Sequence, residues 1–149
     1  MLAEQLQTDL TVAMKARDEL TTSVLRLAIA GVKQARVSGS ESRDLDDDEV
    51  SAILAREVKR REESAAAFAD AGRSDRAERE LAERDVLARY LPAPLTDEEL
   101  TELVDRVLTA GGFTGPGDMG SAMKAVTTEV GGRRDGKAVS QLVRARLSV

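Results

Sequence analysis

Residues 88–100 read "ARYLPAPLTDEEL", and the parsing of this stretch decides the architecture. Pro92 and Pro94 cannot sit inside a helix, because each lacks a donor N–H and drives the residue before it towards extended backbone. Thr96 and Glu99 follow at the spacing of a capping box. There the hydroxyl accepts the third helical N–H, and the carboxylate reaches back to the cap residue. The stretch therefore reads as a helix end, a short linker and a helix start. It predicts an N-terminal domain over residues 1–91, a linker over 92–95 and a C-terminal domain over 96–149.

Towards the N-terminus the apolar residues recur at helical spacing. Leu2, Leu6, Leu10 and Ala13 make one stripe; after the polar "RDELTTS", Val24, Leu25, Ala28, Ile29 and Val32 make another, as in an antiparallel hairpin. The run "SGSESRDLDDDEV" supplies a loop and then a helix start, with Asp46 or Asp47 as cap and acids in the first turn, where the helix dipole favours them. Val50, Ile53, Leu54, Val58, Ala65 and Phe68 continue as a third stripe. A fourth helix is expected from about Ser74 to Leu91, burying Ala77, Leu81, Leu87 and Tyr90 or Leu91. The segment "REVKRREE", residues 56–63, offers Glu57–Arg61 and Lys59–Glu63 pairs one turn apart, the pattern of a solvated helix face.

Beyond the prolines, Leu100, Leu103, Val104, Val107 and Leu108 form a helix that stops at Gly111–Gly112. Asp118 is placed to cap a helix carrying Met119, Ala122, Met123, Val126 and Val130, and Asp135 to cap a last one carrying Val139, Leu142, Val143 and Leu147. The fold class expected is all-α, with an N-terminal four-helix array followed by a C-terminal three-helix bundle.

Inventory excludes several chemistries. The chain has no cysteine and no histidine, so disulfides, cysteine zinc sites and Ser-His-Asp or Cys-His catalysis are ruled out. Three apparent ligand motifs also fail. Gly131, Gly136 and Lys137 echo a phosphate-gripping loop, but Ala138 replaces the magnesium-binding hydroxyl and no strand partners precede it. Gly115, Gly117 and Gly120 imitate a dinucleotide fingerprint around Pro116. Asp44, Asp46 and Asp48 resemble a calcium loop, yet Glu49 stands where glycine is required and Ala55 where the bidentate glutamate belongs. No cofactor and no metal are expected. The opening "MLAEQLQTDL" has no basic segment before an apolar run and nothing approaches a membrane span, so the expected location is cytoplasmic, with no membrane partner.

The net charge of −5, from 22 bases and 27 acids, argues against a surface that is basic throughout, and DNA is not an expected partner. That average hides a polarity. Residues 95–118 hold six acids and one base, whereas residues 119–149 hold six bases and two acids. Within the basic part, Lys137, Gln141 and Arg144 fall at i, i+4 and i+7 on one face of the last helix, and Arg133 and Arg134 precede its N-terminus. Such a set either solvates a surface or meets an anion with four cations and free helix-start N–H groups.

The string "ARYLPAPLTDEEL", the preceding "REVKRREESAAAFADAGRSDRAERELAERDVL", the following "GDMGSAMKAVTTEVGGRRDGKAVSQLV" and "SVLRLAIAGVKQ" in the second helix together resemble the GatB/YqeY family, in its stand-alone YqeY-like form. The resemblance spans essentially the whole chain and implies an all-helical fold of two domains. It also implies kinship with the tail of the GatB subunit of glutamine-dependent tRNA amidotransferase, whose family label is carbon–nitrogen ligase with glutamine as amido-N-donor. In that enzyme the tail contacts tRNA and the chemistry lies elsewhere; no segment here resembles the amidase core or the activation domain. The resemblance thus implies a module that is not catalytic alone and that binds tRNA or another structured RNA, with its contact in "GGRRDGK". With Tyr90, Phe68 and Phe113 as the whole aromatic inventory, recognition by shape and phosphate is expected over base stacking. The alternative is a protein–protein adaptor that docks an amidotransferase or an aminoacyl-tRNA synthetase without touching RNA.

Overall fold

The computed structural model describes residues 1–148 and is all-α, with seven α-helices and no strand among them. The chain divides into two compact units, Met1–Pro92 and a second that begins at Ala93.

In the first unit α1 (Leu2–Lys15) and α2 (Glu19–Val37) are joined by a short turn, and α3 (Asp47–Asp70) packs along α4 (Ser74–Ala88). Leu6, Val24, Leu25, Ala28, Val32, Val50, Leu54, Val86 and Leu87 make a single core. The caps are set by local sequence. Asp18 accepts the N–H of Thr21 at 3.0 Å, and Asp46 forms a capping box with Glu49, resolving the choice between Asp46 and Asp47. Asp47 acts at longer range: its carboxylate accepts the N–H of Leu2 at 2.8 Å, satisfying an open donor at the start of α1. The fourth helix ends at Ala88, three residues before its expected end, so Tyr90 lies in the turn that follows. Its hydroxyl donates to Asp9 at 2.5 Å, tying that turn to α1.

The solvated face expected for residues 56–63 is corrected at Arg61. This residue is buried, and its guanidinium meets Glu57 on its own helix and Glu80 and Glu83 on α4.

In the second unit α5 (Asp97–Gly111), α6 (Met119–Val130) and α7 (Gly136–Leu147) pack around Leu103, Val104, Ala122, Val126, Val139, Val143 and Leu147. The capping box of Thr96 and Glu99 is formed, with bonds of 3.1 and 3.0 Å. Gly112 closes α5 in the left-handed conformation, φ 67°, which costs glycine little. Asp118 behaves otherwise than expected. A 3₁₀ turn over Pro116–Asp118 precedes α6, and the Asp118 carboxylate accepts the N–H groups of Thr114 and Gly115, upstream, instead of those of α6. Among the described residues no helix is long and apolar enough to cross a membrane.

Candidate nucleic-acid interface

The loop between α6 and α7 is built from glycines and arginines with separate tasks. Gly131 and Gly132 both take positive φ, 57° and 77°, so the chain reverses directly after Val130. Arg133 then folds back on the helix it follows. Its Nε donates to the Val130 carbonyl and its Nη2 to that of Glu129, each at 3.0 Å, satisfying acceptors that the helix end leaves open. Arg134 turns to the segment before α5. It donates to the Leu95 carbonyl at 3.1 Å and pairs with Asp97, whose carboxylate raises the arginine's pKa further. The backbone completes the junction, because Leu95 donates its N–H to the Arg133 carbonyl at 2.9 Å.

Asp135 caps α7 as its sequence position indicates, accepting the N–H of Ala138 at 3.1 Å. One donor that the sequence reading offered to an anion at this helix start is thereby taken by the protein's own carboxylate.

Along α7, Val139, Val143 and Leu147 are buried while Lys137, Gln141 and Arg144 are exposed, as the 3.6-residue repeat requires. Lys137 and Arg144 are about 10 Å apart along the axis, at 1.5 Å per residue. Among the described residues neither pairs with a carboxylate, whereas Arg146, two residues on, is held by Asp105 at 2.7 Å. The structure therefore sorts the five candidates: Lys137, Gln141 and Arg144 share an open face, and Arg133 and Arg134 are half-buried with their guanidinium donors turned to protein oxygens. Lys124, exposed on α6, is a further cation that the sequence reading counted in the charge of the tail without assigning it to the site. Its signal is only that charge, because no helical repeat links α6 to α7. Among the described residues no three Asp or Glu side chains gather as a metal site.

The family model described as "Yqey-like protein" matches residues 3–147. The chain belongs to the YqeY-like family. Two curated relatives carry the name "Altered inheritance of mitochondria protein 41, mitochondrial". The one from Lachancea thermotolerans is 30% identical over 106 residues, covering 70% of this chain and 56% of that protein. Its counterpart from Clavispora lusitaniae is 29% identical over 109 residues, covering 72% and 62%. This YqeY-like chain thus spans less than two thirds of the length of either relative.

Proposed function

We propose that this YqeY-like protein is a module without catalysis of its own that grips the backbone of a structured RNA, with tRNA as the first candidate. Lys137 and Arg144 would contact phosphates, and Gln141 would hydrogen-bond the backbone between them. The observation that carries the reading is the contrast along the basic segment. Arg133, Arg134 and Arg146 are each held by protein oxygens, while Lys137 and Arg144, two turns apart on one exposed face, are left to solvent. Unneutralised cations at such a spacing suit a phosphate chain, which rewards each one by releasing counterions. The resemblance to the amidotransferase tail supplies the preference for tRNA. The acids that would serve an adaptor are partly occupied: Asp97, Glu99 and Asp105 on α5 are engaged by Arg134, the helix cap and Arg146.

The test is a titration of the full chain against labelled tRNA at low salt. Reversing both charges, Lys137→Glu with Arg144→Glu, is expected to weaken binding by at least about tenfold. Absence of binding at low salt, or equal affinity of the double variant, would sink the RNA reading. A nuclease-resistant complex with a purified amidotransferase or aminoacyl-tRNA synthetase would then favour the adaptor.

A further inference from the structure

Helix α2 buries one side in the first unit's core and presents a second apolar stripe outwards. Val24, Leu25, Ala28, Ile29 and Val32 face inwards. At 100° per residue, Arg26, Leu27, Ala30, Lys33, Gln34 and Val37 fall within an arc of about 120° on the other side. All six are exposed, and Leu27 and Val37 are 61% and 63% open to solvent.

Charge on this helix is one-sided. After Glu19 its only charged residues are Arg26, Lys33 and Arg36, in a chain whose net charge is −5. By contrast, α3 and α4 interleave both signs and pair them, as in Arg60 with Glu57 and Arg79 with Glu83. Arg36 is neutralised by Asp44 at 2.5 Å. Arg26 meets only the sulfur of Met14, at 3.9 Å, and Lys33 pairs with no carboxylate among the described residues. Two cations without carboxylate partners, about 10 Å apart along the helix axis, therefore border an apolar stripe.

We infer that this face of α2 docks an acidic amphipathic helix of a partner protein. Leu27, Ala30, Gln34 and Val37 step by three, four and three residues, the spacing of a helix–helix seam. Ala30 lies between the larger Leu27 and Val37 and lets another helix approach closely. A carboxylate pair seven residues apart on the partner would reach Arg26 and Lys33. Phosphate chains gain nothing from two aliphatic side chains at the centre of the contact. A bilayer would find only two large apolar groups on a helix whose other side is already buried.

The test uses the full chain and a fluorescein-labelled synthetic helical peptide with leucines stepped by three and four and glutamates seven apart. A lysine-for-glutamate counterpart is the control. Saturable anisotropy is expected with the acidic peptide alone, with amide shifts concentrated between Ser23 and Val37. Leu27→Asp is expected to weaken binding about thirtyfold, the loss of a central apolar anchor. Arg26→Glu with Lys33→Glu should reverse the preference towards the lysine peptide. Circular dichroism checks folding, and Val37→Asp reads the same face should Leu27→Asp lose its helix signal. Failure of the acidic peptide to bind, or unchanged affinity in both aspartate variants, would overturn the inference. So would finding that the face instead holds anionic phospholipid vesicles, tRNA or a second copy of the chain in sedimentation. Because the face belongs to the first unit and the RNA face to the second, Lys137→Glu with Arg144→Glu should leave peptide binding unchanged.

Discussion

The guanidinium of Arg134 donates to the carbonyl of Leu95 at 3.1 Å, and Leu95 in turn donates its N–H to the carbonyl of Arg133, one residue earlier. Thirty-nine residues separate Arg134 from Leu95, so the pair joins the start of the second unit to the loop before its last helix. This explains why an arginine in a basic loop serves the fold first. Arg134→Gln is expected to lower the urea midpoint of the second unit and speed amide exchange around Leu95. Lys137→Gln should leave both unchanged. Hydrogen exchange followed by mass spectrometry reads the difference directly.

Arg61 holds a comparable position between α3 and α4. It is 8% exposed among Glu57, Glu80 and Glu83, and its Nε lacks a hydrogen-bond partner among the described residues. Removing the cation leaves half-buried carboxylates facing one another. Arg61→Met is expected to destabilise the protein by roughly 3 kcal/mol, the cost of breaking a buried pair from one side. Adding Glu83→Leu should recover part of that loss, because it removes the charge left nearest the gap. A double-mutant cycle by urea denaturation gives the coupling.

These two arginines mark where the sequence stops being readable. Helix caps are local: Thr96 with Glu99, Asp46 with Glu49 and Asp135 with Ala138 are fixed by spacings of three residues; Thr96 and Asp135 cap as read, and at α3 the cap falls to Asp46 of the two aspartates offered. The apolar stripes are equally local, and every position proposed for α2 is buried. Arg61 and Arg134 are different. Apart from Glu57, one turn before Arg61, and Asp135, next to Arg134, their partners lie 19 to 39 residues away, and a charge at an exposed helical position looks the same as one that an adjoining helix will cover. The candidate site was legible to that extent and no further. The face of Lys137, Gln141 and Arg144 follows from helical periodicity, but the engagement of Arg134 depends on tertiary closure, and that of Arg133 on its folding back onto the end of α6. Asp118 shows a subtler limit. A cap residue and an upstream loop anchor share one position, and Pro116, by starting a 3₁₀ turn, selects the second.

Two glycines inside helices should respond oppositely to alanine. A Cβ on Gly31 would meet Ile53 Cγ2 at 3.8 Å, an ordinary contact, so Gly31→Ala is expected to stabilise by about 0.5–1 kcal/mol through reduced chain entropy. A Cβ on Gly111 would overlap the ring of Phe113, which lies against the last turn of α5. Gly111→Ala is therefore expected to lose that gain and lower the thermal midpoint, and Phe113→Leu in the same chain should relieve the overlap. Calorimetry of the three variants checks both signs.

Acid should act in part through the cap of α3. The guanidinium of Arg43, and then the N–H of Asp46, lower the Glu49 carboxyl from 4.5 to about 2. The folded state therefore binds this proton more weakly than the unfolded chain does. The stability it contributes is complete above about pH 4.5 and is lost as the pH falls towards 2. Glu49→Gln should flatten the fall in thermal midpoint between pH 5 and pH 3, about the interval in which the unfolded carboxyl gains its proton. An unchanged slope would mean that other carboxylates carry the acid response.

The salt dependence of RNA binding counts the free cations. If Arg133, Arg134, Lys137 and Arg144 all met phosphates, the log–log slope of affinity against salt would be near −3 to −4, at roughly 0.9 per contact on duplex. With Arg133 and Arg134 turned to protein carbonyls, Lys137 and Arg144 remain, and the slope is expected near −2. Lys137→Gln and Arg144→Gln should each remove about one unit from its magnitude. Arg133→Gln should leave the slope unchanged, because its guanidinium caps α6. Titrations of labelled tRNA between about 50 and 200 mM salt resolve these cases, an interval over which two contacts change affinity roughly tenfold. A slope near −4 in the unaltered chain would show instead that both arginines leave their carbonyls to meet the RNA.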